Sequence, residues 1–340
     1  MTVNIGLVTT EALVLGCDSV ASTSAQYIDP FSIQWEKDAS GAPLIDKSGK
    51  FTLHFSYTDF QSVVTNAWGG VTKMFEIHSQ PSPVVAITAG LAKLKDRAIA
   101  NHASEFLAKY SARAQKLVSA KTICEHFLRF MRGRYVSHYR GSPLPPEFRE
   151  GPQFLVGGYG RDDPFPSLYR LNVQKNTIEA AFTDGKTGIA WDGQSDAVER
   201  FVRGFDVRLF FYTEMETQRV LKAHNERMKD AVAKLVNTVL DKLQQPMPSG
   251  IDTKLPELLS IPLNWPQFAL PVDYANLPLQ EAVSFVSSLV MSQSSKARFA
   301  RGVPTVGGRT HIGVITKDAG FRPLNEPTLA HRYTGFGDDL

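Results

Sequence analysis

Cysteine is scarce in this chain of 340 residues, which holds only Cys17 and Cys124. Two thiols build neither a disulfide framework nor a four-cysteine zinc site, and single cysteines in apolar surroundings are usually core residues. Long apolar runs are missing as well, because none reaches the roughly 18 residues that a membrane span needs. We therefore exclude disulfide-rich scaffolds and expect a soluble protein of the reducing cytoplasm.

Neither sign of charge is in large excess, since 37 lysine and arginine residues face 34 aspartate and glutamate residues. The net charge of +3 is too small to indicate nucleic acid or membrane partners. The opening residues have neither the basic segment nor the apolar segment of a secretory leader, so we expect none. With 43% hydrophobic and 21% charged residues, the composition is that of an ordinary globular protein.

Motifs for metals and cofactors are absent from the sequence. There is no His-Glu-x-x-His zinc motif, no phosphate-binding loop, no Gly-x-Ser-x-Gly nucleophile elbow and no dinucleotide fingerprint. The eight histidines are scattered and lack ligand spacing. We expect no metal and no cofactor.

Hydrophobic periodicity predicts strands at both ends of the chain. Two β-like runs at residues 2–8 and 12–17 are spaced as a hairpin. The pattern breaks up from about residue 22 to 70, which predicts an inserted loop or flap with one strand-like piece at 51–55. The order of strands, two helices, strands, helices and a last strand predicts a layered α+β fold. The other predicted helices are at about 91–113, 119–139, 195–202, 214–244 and 279–299, and the other strands at 72–77, 83–88, 154–159, 167–172, 177–182, 188–191 and 310–316.

Thr2 is the first candidate for chemistry. Initiator methionine is expected to be removed before a residue as small as threonine, which leaves Thr2 with a free α-amino group. A threonine hydroxyl is a poor nucleophile without a neighbouring base, and an α-amine has a pKa of about 7.7–8. The predicted strand that follows would hold this residue rigidly.

Further segments stand in the order found in a known family. They are Gly16-Cys17-Asp18-Ser19, Thr72-Lys73-Met74-Phe75-Glu76-Ile77, Thr88-Ala89-Gly90, Phe154 to Tyr159 followed by Leu168-Tyr169-Arg170-Leu171, and Gly307-Gly308. With Thr2, they resemble the proteasome β-subunit family of N-terminal nucleophile hydrolases and its bacterial relatives such as HslV and Anbu. The resemblance implies one proteasome-like domain over residues 1–340, built as a four-layer αββα sandwich, with insertions at about 26–70 and 208–278.

The resemblance also implies catalytic roles. Thr2 attacks a peptide carbonyl, Lys73 and Asp18 set the acidity of its hydroxyl, and Gly90 receives the oxyanion. The chemistry suits these residue types, because a nearby ammonium favours the alkoxide and a glycine N–H is not obstructed by a Cβ. Asp192 stands where the family has a serine-bearing turn, and it is the candidate to accept hydrogen bonds from the Thr2 amine.

Substrate contacts follow by position from the same resemblance. A peptide would lie as an added strand between the segment with Ala21 and Ser22 and the segment with Gly90, Leu91 and Ala92. The pocket for the residue before the cut would be lined by Ala21, Val71, Phe75, Thr88, Ala92 and Asp96. Asp96 at the base of this pocket would favour a substrate with a cationic side chain before the cut.

The sequence departs from the family near its end, where Val303 and Val306 replace an aspartate and a serine. The amine of Thr2 is therefore held differently or poorly. Three functions stay open: a threonine peptidase acting on unfolded or short polypeptides inside a homo-oligomeric ring, a non-peptidase amidohydrolase, and a catalytically silent structural subunit. The sequence does not indicate whether an unfoldase or adaptor is a partner.

Overall fold

The computed structural model describes residues 2–28, 34–50, 53–54, 60–111, 119–244 and 265–324. The fold is of the α+β class, with antiparallel sheets and helices in separate parts of the chain. The strands are β1 (Val3–Val8), β2 (Ala12–Asp18), β3 (Ala21–Ile28), β4 (Gln34–Trp35), β5 (Leu53–His54), β6 (Phe60–Trp68), β7 (Met74–His78), β8 (Val84–Gly90), β9 (Lys93–Leu94), β10 (Arg97–Ala98), β11 (Pro152–Gly158), β12 (Ser167–Asn172), β13 (Thr177–Phe182), β14 (Gly188–Gly193), β15 (Thr310–Thr316) and β16 (Gly320–Pro323). The helices are α1 (Ile99–Ser111), α2 (Ala120–His138), α3 (Asp196–Arg203), α4 (Val207–Leu243) and α5 (Leu279–Phe299).

The first five-stranded sheet has the order β14-β1-β2-β15-β16, and all its neighbouring strands are antiparallel. Every residue of β1 and β2 is buried, which is the pattern of central strands covered on both faces. The predicted hairpin of residues 2–8 and 12–17 is confirmed. The short closing strand β16 was not predicted.

The second five-stranded sheet has the order β13-β12-β11-β8-β7. Its inner face contributes Val85, Ile87 and Leu155 to a buried cluster that also contains Leu13 and Leu15 of the first sheet. The two sheets therefore pack face to face through an apolar interior.

Helices pack against strands of both sheets. Helix α5 packs against β1, β2 and β15, while α1 contacts β7 and α2 contacts β11, β12 and β13. The buried residues of α5 recur every three or four positions, as expected for a helix with one apolar face. No helix in the described part of the chain is both long enough and apolar enough to cross a membrane.

The segment predicted as a loop or flap contains regular structure. Strand β3 continues almost directly from β2 and pairs with β6 from Ala21↔Trp68 to Ile28↔Phe60. Most of the described side chains of this pair are exposed, so the alternation of buried and exposed residues that identifies a strand in a sequence is weak here. Of the strand-like piece at 51–55, residues 53–54 form β5, and the rest lies outside the described residues.

The first predicted helix begins later than expected. Residues 91–98 include the two short paired strands β9 and β10, and α1 starts only at Ile99. Lys95 and Asp96 have φ angles of 48° and 62° in the turn between these strands, a left-handed conformation that does not continue into a helix. The end of that prediction, beyond Ser111, lies outside the described residues.

The chain divides into two compact units. One is formed by Met1–Ser195 with Asp273–Leu340, and the other by Asp196–Val272. The second unit contains α3 and the 37-residue helix α4, of which no residue is buried. This unit contains an aromatic cluster, in which the ring of Trp265 lies 5.1 Å from that of Phe205 and 5.2 Å from that of Phe210, measured between ring centroids.

Replacing Gly16 by alanine should destabilise the first unit, because the added Cβ would lie 2.4 Å from Cγ1 of Val286 in α5. We expect the free energy of unfolding to fall by about 1–3 kcal/mol, as for other overpacked cores. The matched control is Gly133→Ala in α2, where a Cβ meets nothing within 4 Å and helix propensity predicts a gain of up to about 1 kcal/mol. Denaturant unfolding of both variants measures the difference, and equal stabilities would contradict this packing.

Candidate functional site

The peptide group that joins Thr2 to Val3 at the start of β1 is held by two hydrogen bonds. Its carbonyl accepts a hydrogen bond from the backbone N–H of Gln194 at 2.6 Å, and the N–H of Val3 donates to Oδ1 of Asp18 at 3.1 Å. Thr2 is only 3% exposed. Its backbone is therefore fixed relative to both β14 and β2.

The hydroxyl of Thr2 contacts a buried ion pair. Oγ1 of Thr2 donates to Oδ1 of Asp18 and accepts from Nζ of Lys73. The Lys73 ammonium also donates to Oδ1 of Asp18 at 2.7 Å. Three residues that are distant in the sequence thus form one compact cluster of hydroxyl, ammonium and carboxylate.

Burial governs the electrostatics of the cluster. The loss of solvation lowers the pKa of Lys73 below its ordinary value, and the charge and hydrogen bond of Asp18 oppose that change. A lysine in such a setting gives up a proton more readily than one in water. Cys17 precedes Asp18 in the chain. Burial raises the pKa of its thiol to about 12, which keeps the thiol protonated at neutral pH.

Backbone N–H groups complete the coordination of Asp18. Oδ2 accepts from the N–H of Val20 and from the N–H of Gly307, each at 3.1 Å. The neighbouring Ser19 donates its N–H to the Gly307 carbonyl at 3.1 Å, and its hydroxyl accepts from the N–H of Arg309 at 2.7 Å. The loop before β15 therefore fixes the carboxylate in its orientation.

A cleft of about 50 Å³ opens beside this cluster. The cleft is lined by nine of the residues that the sequence predicted for the site, namely Thr2, Lys73, Gly90, Ala21, Ser22, Val71, Thr88, Leu91 and Ala92. Gly90 has a φ of 80°, and a Cβ at that position would lie 2.6 Å from the Gly151 carbonyl oxygen. Only glycine fits there without strain.

Three predicted residues lie away from the cleft. Phe75 is packed in the core between the second sheet and α1 and α2, with its ring 6.3 Å from that of Phe154. Asp96 is exposed in the turn between β9 and β10. Asp192 lies opposite Asn4 in the β1–β14 ladder, where burial raises its pKa.

Sequence reasoning missed several residues at the site. The cleft wall that Phe75 and Asp96 were expected to form is made by Ala98, Ile99 and Ala100. The N–H of Gln194 contacts the carbonyl of Thr2, and the side-chain oxygen of Gln194 accepts from the Thr305 hydroxyl at 2.9 Å. The sequence pointed to Gln194 and Thr305 only indirectly, because Gln194 lies close to the candidate Asp192 and Thr305 lies close to the Gly307-Gly308 motif.

Metal binding finds no support in the described residues, which contain no group of three or more histidine, cysteine, aspartate or glutamate side chains placed to hold an ion. The lysine ammonium is the cation at the Thr2 hydroxyl.

Comparison with known proteins finds no family model and no curated protein that matches this chain. Among solved structures, the chain is similar to the Anbu complex from Pseudomonas aeruginosa, described as a helical assembly, with 12% identity, a TM-score of 0.44, and coverage of 95% of this chain and 84% of that one. It is also similar to Anbu, described as an ancestral beta-subunit, from Yersinia bercovieri, with 10% identity, a TM-score of 0.43, and coverage of 95% and 88%.

Replacing Lys73 by methionine should strongly destabilise the protein, because Asp18, which is 0% exposed, would lose its cation. We expect the free energy of unfolding to fall by roughly 3 kcal/mol. The control is Lys121→Met, which breaks an exposed i,i+4 pair with Glu125 at 4.0 Å and should change stability by about 0.5 kcal/mol or less. Chemical denaturation compares the two variants, and a Lys73 variant as stable as the control would contradict a charged pair.

Proposed function

We propose that the chain is a threonine-type hydrolase of the N-terminal nucleophile class, acting on peptide bonds. The observation that carries this proposal is the contact of the Thr2 hydroxyl with both Lys73 and Asp18 at the inner end of a cleft. A hydroxyl between a buried ammonium and a carboxylate is poised to become an alkoxide. The proposal requires that Thr2 carry a free α-amine after removal of Met1.

In the proposed reaction, Oγ1 of Thr2 attacks the substrate carbonyl carbon and its proton passes to the α-amine of Thr2. The negative charge that develops on the carbonyl oxygen is stabilised by the N–H of Gly90. Collapse of the tetrahedral intermediate breaks the C–N bond, and the leaving amine takes the proton. Water, deprotonated by the α-amine, then hydrolyses the ester on Thr2 and releases the acid.

The two sides of the cleft favour an extended polypeptide as substrate. Ala21 and Ser22 belong to β3 on one side, and on the other side Gly90 ends β8 and is followed by Leu91 and Ala92. An extended peptide placed between two backbone segments forms main-chain hydrogen bonds with both. We therefore propose short or unfolded polypeptides as the substrate class.

Finer structural features of the proposal rest on the resemblance. They are a four-layer αββα sandwich and a homo-oligomeric ring of subunits in the cytoplasm. The packing of α5 on the first sheet and of α1 and α2 on the second supports the layered arrangement. Native mass measurement tests the ring, and a monomer at micromolar concentration would contradict it.

Reaction with a peptide epoxyketone tests the nucleophile, because this reagent needs both the hydroxyl and the free amine of Thr2. We expect a single adduct on Thr2, an intact mass without Met1, and loss of both adduct and peptide turnover in Thr2→Ala. Thr2→Ser keeps a hydroxyl and should retain measurable turnover. Retention of Met1 with no adduct would favour a structural subunit, and an adduct without turnover of any peptide would favour an amidohydrolase of small substrates.

The lining of the cleft predicts which residue precedes the cut. Its wall at Ala92, Ala98, Ile99 and Ala100 is apolar, and Lys73 is its only charged lining residue among those described. We expect fluorogenic peptides with alanine or leucine at that position to have a kcat/KM at least about tenfold above those with arginine or aspartate, since a charged side chain would be desolvated without a partner. Ala100→Glu should reduce the preference over arginine. A clear preference of the unchanged protein for arginine would contradict this reading of the wall.

A further inference from the structure

We propose that Gln194 and Thr305 are positioning residues that fix the α-amine of Thr2 beside its own hydroxyl. The inference rests on the proposed function, in which that amine carries the proton during both halves of the reaction. The observations are one chain of hydrogen bonds, from the Thr305 hydroxyl to the Gln194 side chain and from the Gln194 backbone to the Thr2 carbonyl.

The geometry of a tetrahedral α-carbon explains why holding the carbonyl places the amine. Lys73 and Asp18 fix the hydroxyl and hence the Cβ of Thr2. The N–H of Gln194, at 2.6 Å, fixes its carbonyl group. Once two substituents of an L-residue are held, the direction of the amine is set by chirality. The N–H of Val3, which donates to Asp18, belongs to the same peptide group, so losing the Gln194 contact would loosen that group and let the amine move away from the reacting atoms.

The turn that delivers the Gln194 N–H is built tightly around Thr2. Gly193 has a φ of 80°, and a Cβ there would lie 2.1 Å from the Thr2 carbonyl oxygen. No other residue type fits at position 193, the last residue of β14, in this conformation. The turn is therefore shaped to bring position 194 onto that carbonyl.

Thr305 anchors the side chain of Gln194 from the opposite edge of the site. It is only 7% exposed, and its hydroxyl donates to Oε1 of Gln194 at 2.9 Å. In the stretch from 303 to 308 it is the only residue whose side chain has a hydrogen-bonding group. The same stretch supplies the Gly307 N–H to Asp18. One loop thus holds both the carboxylate of the cluster and the residue that holds Thr2.

Thr305→Val tests the inference, with Thr305→Ser as the matched control that keeps the hydroxyl. On one fluorogenic peptide we expect Thr305→Val to lower kcat about five- to tenfold, the size expected for one hydrogen bond, and to leave KM within about twofold, since the pair does not line the cleft. Thr305→Ser should retain at least about half of the kcat. The rate of epoxyketone addition, which needs the amine, should fall in parallel with kcat.

Gln194→Ala removes the same side-chain hydrogen bond from its other end and serves if Thr305→Val does not fold. The double variant should be no slower than the slower single variant, because both changes break one contact. An unchanged kcat in Thr305→Val, an equal loss in Thr305→Ser, or additive losses in the double variant would overturn the inference while leaving the function intact. If the unchanged protein neither hydrolyses peptides nor forms the Thr2 adduct, the proposed function fails, and the positioning role falls with it.

Discussion

The buried ion pair of Lys73 and Asp18 is the constraint on which the site depends. Removing two charges from water costs several kcal/mol per ion unless hydrogen bonds satisfy them. The carboxylate has such bonds, because the N–H groups of Val3, Val20 and Gly307 all donate to it. The pair therefore needs the start of β1, the end of β2 and the loop before β15 in place at the same time, and the face-to-face packing of the sheets brings Lys73 to them.

Close backbone approach is the second constraint at the site. Gly90 and Gly193 both have positive φ angles, and a side chain at either position would collide with a backbone carbonyl oxygen. These two glycines flank Thr2, one in the lining of the cleft and one at its carbonyl. The space around the nucleophile is thus determined by main-chain atoms, which move less than side chains and preserve geometry better.

Valine stands at positions 303 and 306, where the resemblance implies an aspartate and a serine, and other polar residues lie in this region of the structure. Thr305 and Gln194 provide a polar connection across the same region, and Thr2 is bound through its carbonyl by the backbone of Gln194. The different chemistry of this support explains why a comparison of residue types alone left the state of the amine open.

In the second compact unit, the long helix α4 has no buried residue, so its sequence carries little packing information.

The sequence by itself determined the central strands β1, β2 and β15 and the helix α5, because apolar runs and helical periodicity are local patterns. The candidate cluster of Thr2, Asp18 and Lys73 came from the resemblance to a known family, since no local pattern joins residues so distant in the sequence. Only the tertiary structure decided which residues form the cleft wall and that Gln194, the residue after β14, contacts the carbonyl of Thr2. Phe75 and Asp96 were placed at the cleft by position along the chain, yet the turn between β9 and β10 and the late start of α1 bring Ala98, Ile99 and Ala100 there. Such contacts join strands and loops far apart in sequence, and their identity depends on register and turn geometry that no local pattern specifies.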